Sequence, residues 1–152
     1  MTPSRVCLLK SGIPEPTRMS GLLDAIIDVA GVRTRVLNTH LDYRADPRVR
    51  KRQVDDMLNY LGTAPTRTIV CGDLNAGPVA PELQPLFSRL HDAWSSTSDS
   101  GFTYPADEPK KRIDYVLTTS DLRVRGTRVV TTLASDHRPV VTDLVLTAAS
   151  TK

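Results

Sequence analysis

Residues 23 to 40 commit the chain to a β-hairpin, and that commitment narrows the folds open to it more than any other stretch does. Leu23, Ala25, Ile27 and Val29 alternate with Asp24 and Asp28, the two-residue period of a strand. Ala30-Gly31 gives a tight connection to Val32-Arg33-Thr34-Arg35-Val36-Leu37, where polar positions alternate again, and the hairpin runs out at Asn38-Thr39-His40. Four more strand patterns follow, at residues 68 to 72, 112 to 118, 122 to 131 and 139 to 146. Two helical patterns interrupt them. Asp46-Pro47 has the form of a helix start, with the acid capping free amides and the proline at the first position. Val54, Met57, Leu58 and Leu61 then mark one buried face, and Gly62 ends it. Leu83, Leu86, Phe87 and Leu90 repeat the spacing in a shorter helix limited upstream by Pro85. Strands with few helices predict a mixed α/β (α+β) fold. With no internal repeat and no boundary signal, residues 1 to 152 read as one domain.

Composition removes whole classes. No apolar run approaches the roughly 18 residues of a membrane span, and the 11 prolines and eight glycines are scattered rather than clustered, against collagen, linker or disordered chains. Fifteen Arg and five Lys give a net charge of +3 and a pI near 9.1. That balance suits a polyanionic partner, or is only solvated surface charge. Cys7 and Cys71 are too few for a disulfide scaffold and read as structural thiols. The start, MTPSRVCLLK, lacks a secretory core and cleavage site, which predicts a cytoplasmic location. Of 17 acids, 14 are Asp, and the three Glu are Glu15, Glu82 and Glu108.

Polar residues recur where strands end. The hairpin ends at His40, the next strand delivers Asp73 and Asn75, Asp114 sits inside Ile113-Asp114-Tyr115-Val116-Leu117, and Asp136-His137 precedes the last strand. Each has a bland reading by itself: a surface histidine, a turn, a solvent-facing strand position, a cap. As a set they suit hard divalent metal and phosphate chemistry, with carboxylate oxygens for Mg²⁺ and imidazole for acid and base work.

The motifs NTHLD (38 to 42), GDLNAGP (72 to 78), RIDYV (112 to 116) and SDHRPV (135 to 140), in that order, resemble the later motifs of the endonuclease/exonuclease/phosphatase superfamily, which includes DNase I-like and exonuclease III-like enzymes. The resemblance covers about residues 20 to 147 and is specific for the superfamily but not for substrate. It implies a DNase I-like sandwich of two β-sheets with flanking helices. It also implies a Mg²⁺-dependent phosphoester hydrolase, with Mn²⁺ as a substitute, acting by in-line attack of water. His137 resembles the general base and Asp114 the carboxylate that orients it. Asp73 and Asn75 resemble the pair that positions the nucleophile and contacts the phosphate, with Asp73 also near metal. Asp136 resembles a metal ligand, and His40 the histidine that bonds a phosphate oxygen or assists the leaving group. Arg112 is a further candidate substrate contact.

The front of the superfamily pattern, a strand ending in Asn and a strand bearing the metal-binding Glu, has no counterpart here. Glu15, between Pro14 and Pro16, does not resemble that ligand. The expectation is an N-terminally incomplete domain whose activity is impaired. Its inner sheet face would call for self-association or a complementing chain. The alternative is a non-catalytic phosphate or nucleic-acid binding module. Its support is the segment from Arg44 to Arg52, with five positive residues against Asp46 and a net +4, which reads equally as the wet face of a helix. From Ser95 to Lys111, Ser, Thr, Asp, Pro and Lys predict a long loop without a packed core. Trp94, Phe102 and Tyr104 there could stack on a base or pack over a core edge.

Overall fold

In the computed structural model, which describes residues 5 to 8 and 21 to 146, the chain builds a six-stranded sheet and a separate two-stranded one. Strands β1 (Arg5–Leu8), β2 (Gly21–Val29), β3 (Val32–His40), β4 (Thr68–Asp73), β5 (His91–Asp92) and β6 (Asp114–Thr118) form the larger, in the order β1-β2-β3-β4-β6-β5. β7 (Arg123–Val129) and β8 (Val140–Val145) pair antiparallel as the smaller sheet. The helices are α1 (Arg48–Leu61) and the single turn α2 (Gln84–Phe87), which continues a 3-10 turn over Pro81–Leu83. No helix among the described residues is long and apolar enough to cross a membrane.

The hairpin forms as the alternation predicts. Ala30 (φ 51°) and Gly31 (φ 83°) are both left-handed, as a two-residue connection matched to the twist of its strands requires. β3 and β4 run parallel, which needs a crossover, and α1 supplies it. The start differs from the expectation by one residue: Pro47 itself is the N-cap, and Asp46, just before it, accepts the Arg48 amide on Oδ1 at 3.0 Å. Val54, Met57 and Leu61 are buried, with Leu58 partly so.

The core lies between α1, the turn over 81 to 87 and one face of the large sheet. Leu22, Leu37, Val70 and Leu117 come from the strands, Val54, Met57, Leu83 and Leu86 from the helical side, and all are at most 1% exposed. At about 25 cal/mol per Å² of apolar surface, each such side chain contributes about 1.5–3 kcal/mol.

The buried row of β2 is not the apolar row of the alternation. Leu22 is packed and Asp24 points to the helix side, its charge met by Arg35 at 2.9 Å and its Oδ2 accepting from Tyr60 Oη at 2.8 Å. Leu23, Ile27 and Val29 face the other way and are 43–48% exposed.

Among the described residues α1 and the turns over 81 to 87 pack together on the core face of the large sheet. β1 adds an edge strand that the sequence did not announce. Cys7 lies in β1, and Glu15 falls outside the described residues. The loop from 95 to 111 has no long element, as expected, and is mostly exposed, with Thr103 and Ala106, at most 2% exposed, among its few buried residues.

Candidate active site

Register brings three site residues together. β3 and β4 align His40 with Asp73, and β4 and β6 align Asp73 with Asp114. Residues directly paired across strands share a face, so the three side chains form a row across adjacent strands, on the side away from α1. Gly72 makes the close approach possible. Its φ is 137°, and a Cβ there would lie 1.8 Å from the Thr39 carbonyl oxygen, so no side chain fits without moving β3 from β4.

His137 reaches the row from the loop between β7 and β8. Its Nδ1 lies 2.9 Å from Asp114 Oδ2 and its Nε2 lies 3.9 Å from Asp73 Oδ2. On the other flank, His40 Nε2 is 3.4 Å from the same Asp73 oxygen. Asp73 Oδ1 accepts the Asn75 amide at 2.7 Å, while Asn75 (φ 51°, a left-handed turn Asn tolerates) donates Nδ2 to the Leu41 carbonyl at 2.9 Å. Two histidines thus bracket one aspartate, and each histidine has a ring nitrogen directed at it.

The electrostatics follow. Burial and the neighbouring Asp114 charge raise the Asp73 carboxyl above the ordinary range, against the lowering pull of the Asn75 amide and the two histidines. For His137, burial works downward, but the Asp114 hydrogen bond and the charges of Asp114, Asp73 and Asp136 outweigh it and raise the imidazole above its usual value. With Asp114 accepting from Nδ1–H, Nε2 of the neutral ring is an acceptor.

Asp73, Asp114 and His137 offer ligand atoms within 4.8 Å of one another. Asp114 Oδ2 serves His137 and Asp73 Oδ1 the Asn75 amide, so Asp73 Oδ2, on a desolvated carboxylate that a cation would relieve, is the oxygen that both histidines face. Mg²⁺ takes one or two carboxylates and completes its shell with water and substrate oxygens, and this donor set fits that demand. Asp136 is adjacent in sequence but outside the cluster. Its side chain accepts from Ser135 Oγ at 3.2 Å and its carbonyl from the Ala106 amide at 2.8 Å.

Arg112, the further candidate contact, is paired inside the fold. Its guanidinium is 2.8 Å from Asp92 and stacks 4.7 Å over the Tyr115 ring, with the side chain only 10% exposed. The basic segment also changes character. Arg44, Arg48 and Arg50 each pair with a carboxylate, Asp42, Asp46 and Glu82 respectively, while Lys51 and Arg52 are exposed. Trp94 is buried, donating Nε1 to the Asp99 carbonyl and packing on Gly101, where its indole leaves no room for a Cβ. Tyr104 is half-buried beside the site. Its ring lies 4.7 Å from that of His137. The loop holds the histidine in two more ways, since the Arg138 amide donates to the Thr103 carbonyl at 2.8 Å and Arg138 Nε to the Ala106 carbonyl at 2.7 Å. Sequence reasoning missed this role of the loop. The signal was its closeness to RIDYV, which gave position without contact.

Residues 4–137 match the Endonuclease/Exonuclease/phosphatase family. No curated protein sequence matches significantly. Solved structures that it resembles include an endonuclease/exonuclease/phosphatase from Bacteroides vulgatus (TM-score 0.81, 17% identity, 96% of this chain and 66% of that one). A mannosyl-6-phosphatase from Bacteroides thetaiotaomicron is similar as well (TM-score 0.78, 17% identity, 95% of this chain and 66% of that one). So is an endonuclease/exonuclease/phosphatase from Beutenbergia cavernae (TM-score 0.77, 26% identity, 98% of this chain and 46% of that one). The chain therefore spans just under two thirds of the first two and less than half of the third.

Proposed function

Because the chain belongs to the endonuclease/exonuclease/phosphatase family, we propose that it hydrolyses phosphoesters with Mg²⁺, Mn²⁺ serving as a substitute, by in-line attack of water at phosphorus. The observation that carries this reading is the Asp114–His137 pair set beside a desolvated Asp73.

His137, neutral and donating Nδ1–H to Asp114, takes the proton of the attacking water on Nε2, and Asp114 stabilises the imidazolium that results. Asp73 and Asn75 orient the water and the phosphate, which converts an encounter into an aligned attack. His40, the most exposed of the set, hydrogen-bonds a phosphate oxygen or assists the departing alkoxide. Asp73 would hold the metal, and Asp136, outside the Asp73–Asp114–His137 cluster but near enough for its charge to act on His137, would be a second ligand. When bound, the ion neutralises charge that develops on the phosphate oxygens. Arg112 is assigned no substrate contact, its charge being balanced by Asp92.

The reading extends to partners. The substrate is a phosphoester, nucleic acid included, and the exposed row Leu23, Ile27 and Val29 calls for cover from a second copy or a complementing chain. The mannosyl-6-phosphatase neighbour supports testing monoesters beside diesters. The test is release of product from p-nitrophenyl phosphate, bis(p-nitrophenyl) phosphate, plasmid DNA and RNA in Mg²⁺ and in Mn²⁺. Turnover of at least one substrate that stops with chelator is expected. Absence of metal-dependent turnover on all of them refutes the hydrolase.

A further inference from the structure

The turn that follows His40 is held from the helix side by side chains that the proposed chemistry does not use. Arg50 and Gln53 lie three residues apart on α1, on the same face, and both are buried, Gln53 being 1% exposed. Arg50 Nε and Nη2 donate to Glu82 Oε1 at 3.0 and 2.8 Å, both side chains being 7% exposed. The remaining corner of the fork, Nη1, donates to the Asp42 carbonyl at 3.1 Å and to the Arg44 carbonyl. Gln53 Oε1 accepts the Asp42 amide at 2.9 Å. From the strand side, the Leu41 amide donates to the Asp73 carbonyl at 2.9 Å, and the Leu41 carbonyl accepts Asn75 Nδ2 at 2.9 Å.

The Leu41 carbonyl is where this clamp meets the site. A carbonyl oxygen only accepts, so the Asn75 carboxamide must present its NH₂ end there. Which end of Asn75 is left for substrate or water is thus decided by where the 41 to 44 backbone stands.

We propose that Arg50, assisted by Gln53, is a positioning residue: by fixing the 41 to 44 backbone it fixes the Leu41 carbonyl and through it the orientation of the Asn75 carboxamide. This rests on the reading of Asn75 as part of the active site. Glu82 holds Arg50 in place, and the planar fork is what lets one side chain meet a carboxylate and two carbonyls together.

Arg50→Lys separates this role from a merely structural one, since lysine can keep the charge pair with Glu82 but has no fork for the carbonyls. The readouts are the Asn75 side-chain NH₂ signals in ¹H–¹⁵N spectra, assigned by their loss in Asn75→Ala, and kcat and KM for whichever phosphoester is hydrolysed. Arg89→Lys, at an arginine bonded to the Gly62 carbonyl away from the site, is the control. The expected result is moved or broadened Asn75 NH₂ signals and a kcat lowered about tenfold or more, with KM within about twofold, while Arg89→Lys changes neither. Should Arg50→Lys not fold, Gln53→Met, which removes the carboxamide that accepts the Asp42 amide, carries the same expectation. Unmoved Asn75 signals in a folded variant overturn the proposal. If no phosphoester is hydrolysed, the function fails while moved signals still support the clamp. If hydrolysis is present and the signals are unmoved, the clamp fails alone.

Discussion

Replacing Asp114 by Asn tests the charge on which His137 depends. The carboxylate oxygen lies 2.9 Å from His137 Nδ1, and the two side chains are 21% and 26% exposed, so water screens the pair only in part. A hydrogen bond to a charged group contributes about 1.5–3 kcal/mol. Its full value matters only once His137 has taken a proton and become cationic, which places the loss in the transition state. At about 1.4 kcal/mol per tenfold, a loss of about 1.5–3 kcal/mol lowers kcat by about 10- to 150-fold. The pH profile moves as well. Burial lowers the His137 pKa, and the Asp114 hydrogen bond leads the effects that raise it on balance. The wild-type rate therefore falls as pH drops through a value above the ordinary imidazole range, where the base becomes protonated. Without the Asp114 charge that acidic limb shifts to lower pH even as the maximal rate falls. The assay is initial rate against pH for both proteins at saturating Mg²⁺. An Asn variant with unchanged kcat, or with its acidic limb unmoved, refutes the assignment of His137 as base and Asp114 as its partner.

Asp73 has a folded-state pKa above its unfolded one, so the native state binds that proton more tightly and stability falls as pH rises through the raised value. Asp73→Asn should then be more stable by about 1 kcal/mol at neutral pH, within the range usual for relief of active-site strain, while losing hydrolysis and any Mg²⁺-induced rise in melting temperature. Denaturant unfolding with and without Mg²⁺ checks this, and a less stable variant counts against the electrostatic reading. Gly72→Ala places a methyl 1.8 Å from the Thr39 carbonyl oxygen at a φ of 137°, and clash plus backbone strain should cost about 3 kcal/mol, or about 9 °C of melting temperature. A melting temperature within about 1 °C of wild type contradicts the close approach of β3 and β4. Leu23→Ser with Ile27→Ser should shift the protein toward monomer in light scattering, since both side chains stand on the open sheet face. A wild-type protein that is monomeric at all concentrations removes the need for a cover.

What the sequence made legible was local. The hairpin followed from alternation plus a two-residue turn, and α1 from a 3.6-residue period bounded by Asp46-Pro47 and Gly62, because both patterns are set by neighbours in the chain. β5, two residues long, and β1, four residues long, are too short to carry a period. The alternation in β2 gave two faces but not which one the helix covers, since Asp24 can face inward only with Arg35 and Tyr60 there to meet it. The same limit governs the site. His40, Asp73, Asn75, Asp114 and His137 were visible as polar residues at strand ends, whereas their alignment depends on a register between strands far apart in sequence. Arg112 looked available because Asp92, its partner, lies 20 residues upstream. The partner of Arg50 was hidden for the same reason, Glu82 being 32 residues from it. Tyr104 could be read as stacking on a base or packing over a core edge, because nothing local tells of a ring contact with His137.

The central claim is that His137 activates water for attack on a phosphoester in the presence of Mg²⁺. Hydrolysis of bis(p-nitrophenyl) phosphate by wild type and His137→Ala, prepared identically and measured with Mg²⁺ and with chelator, tests it most directly. Turnover that requires the metal and disappears in His137→Ala is the predicted result. Equal turnover by the two proteins, or none by either, contradicts it.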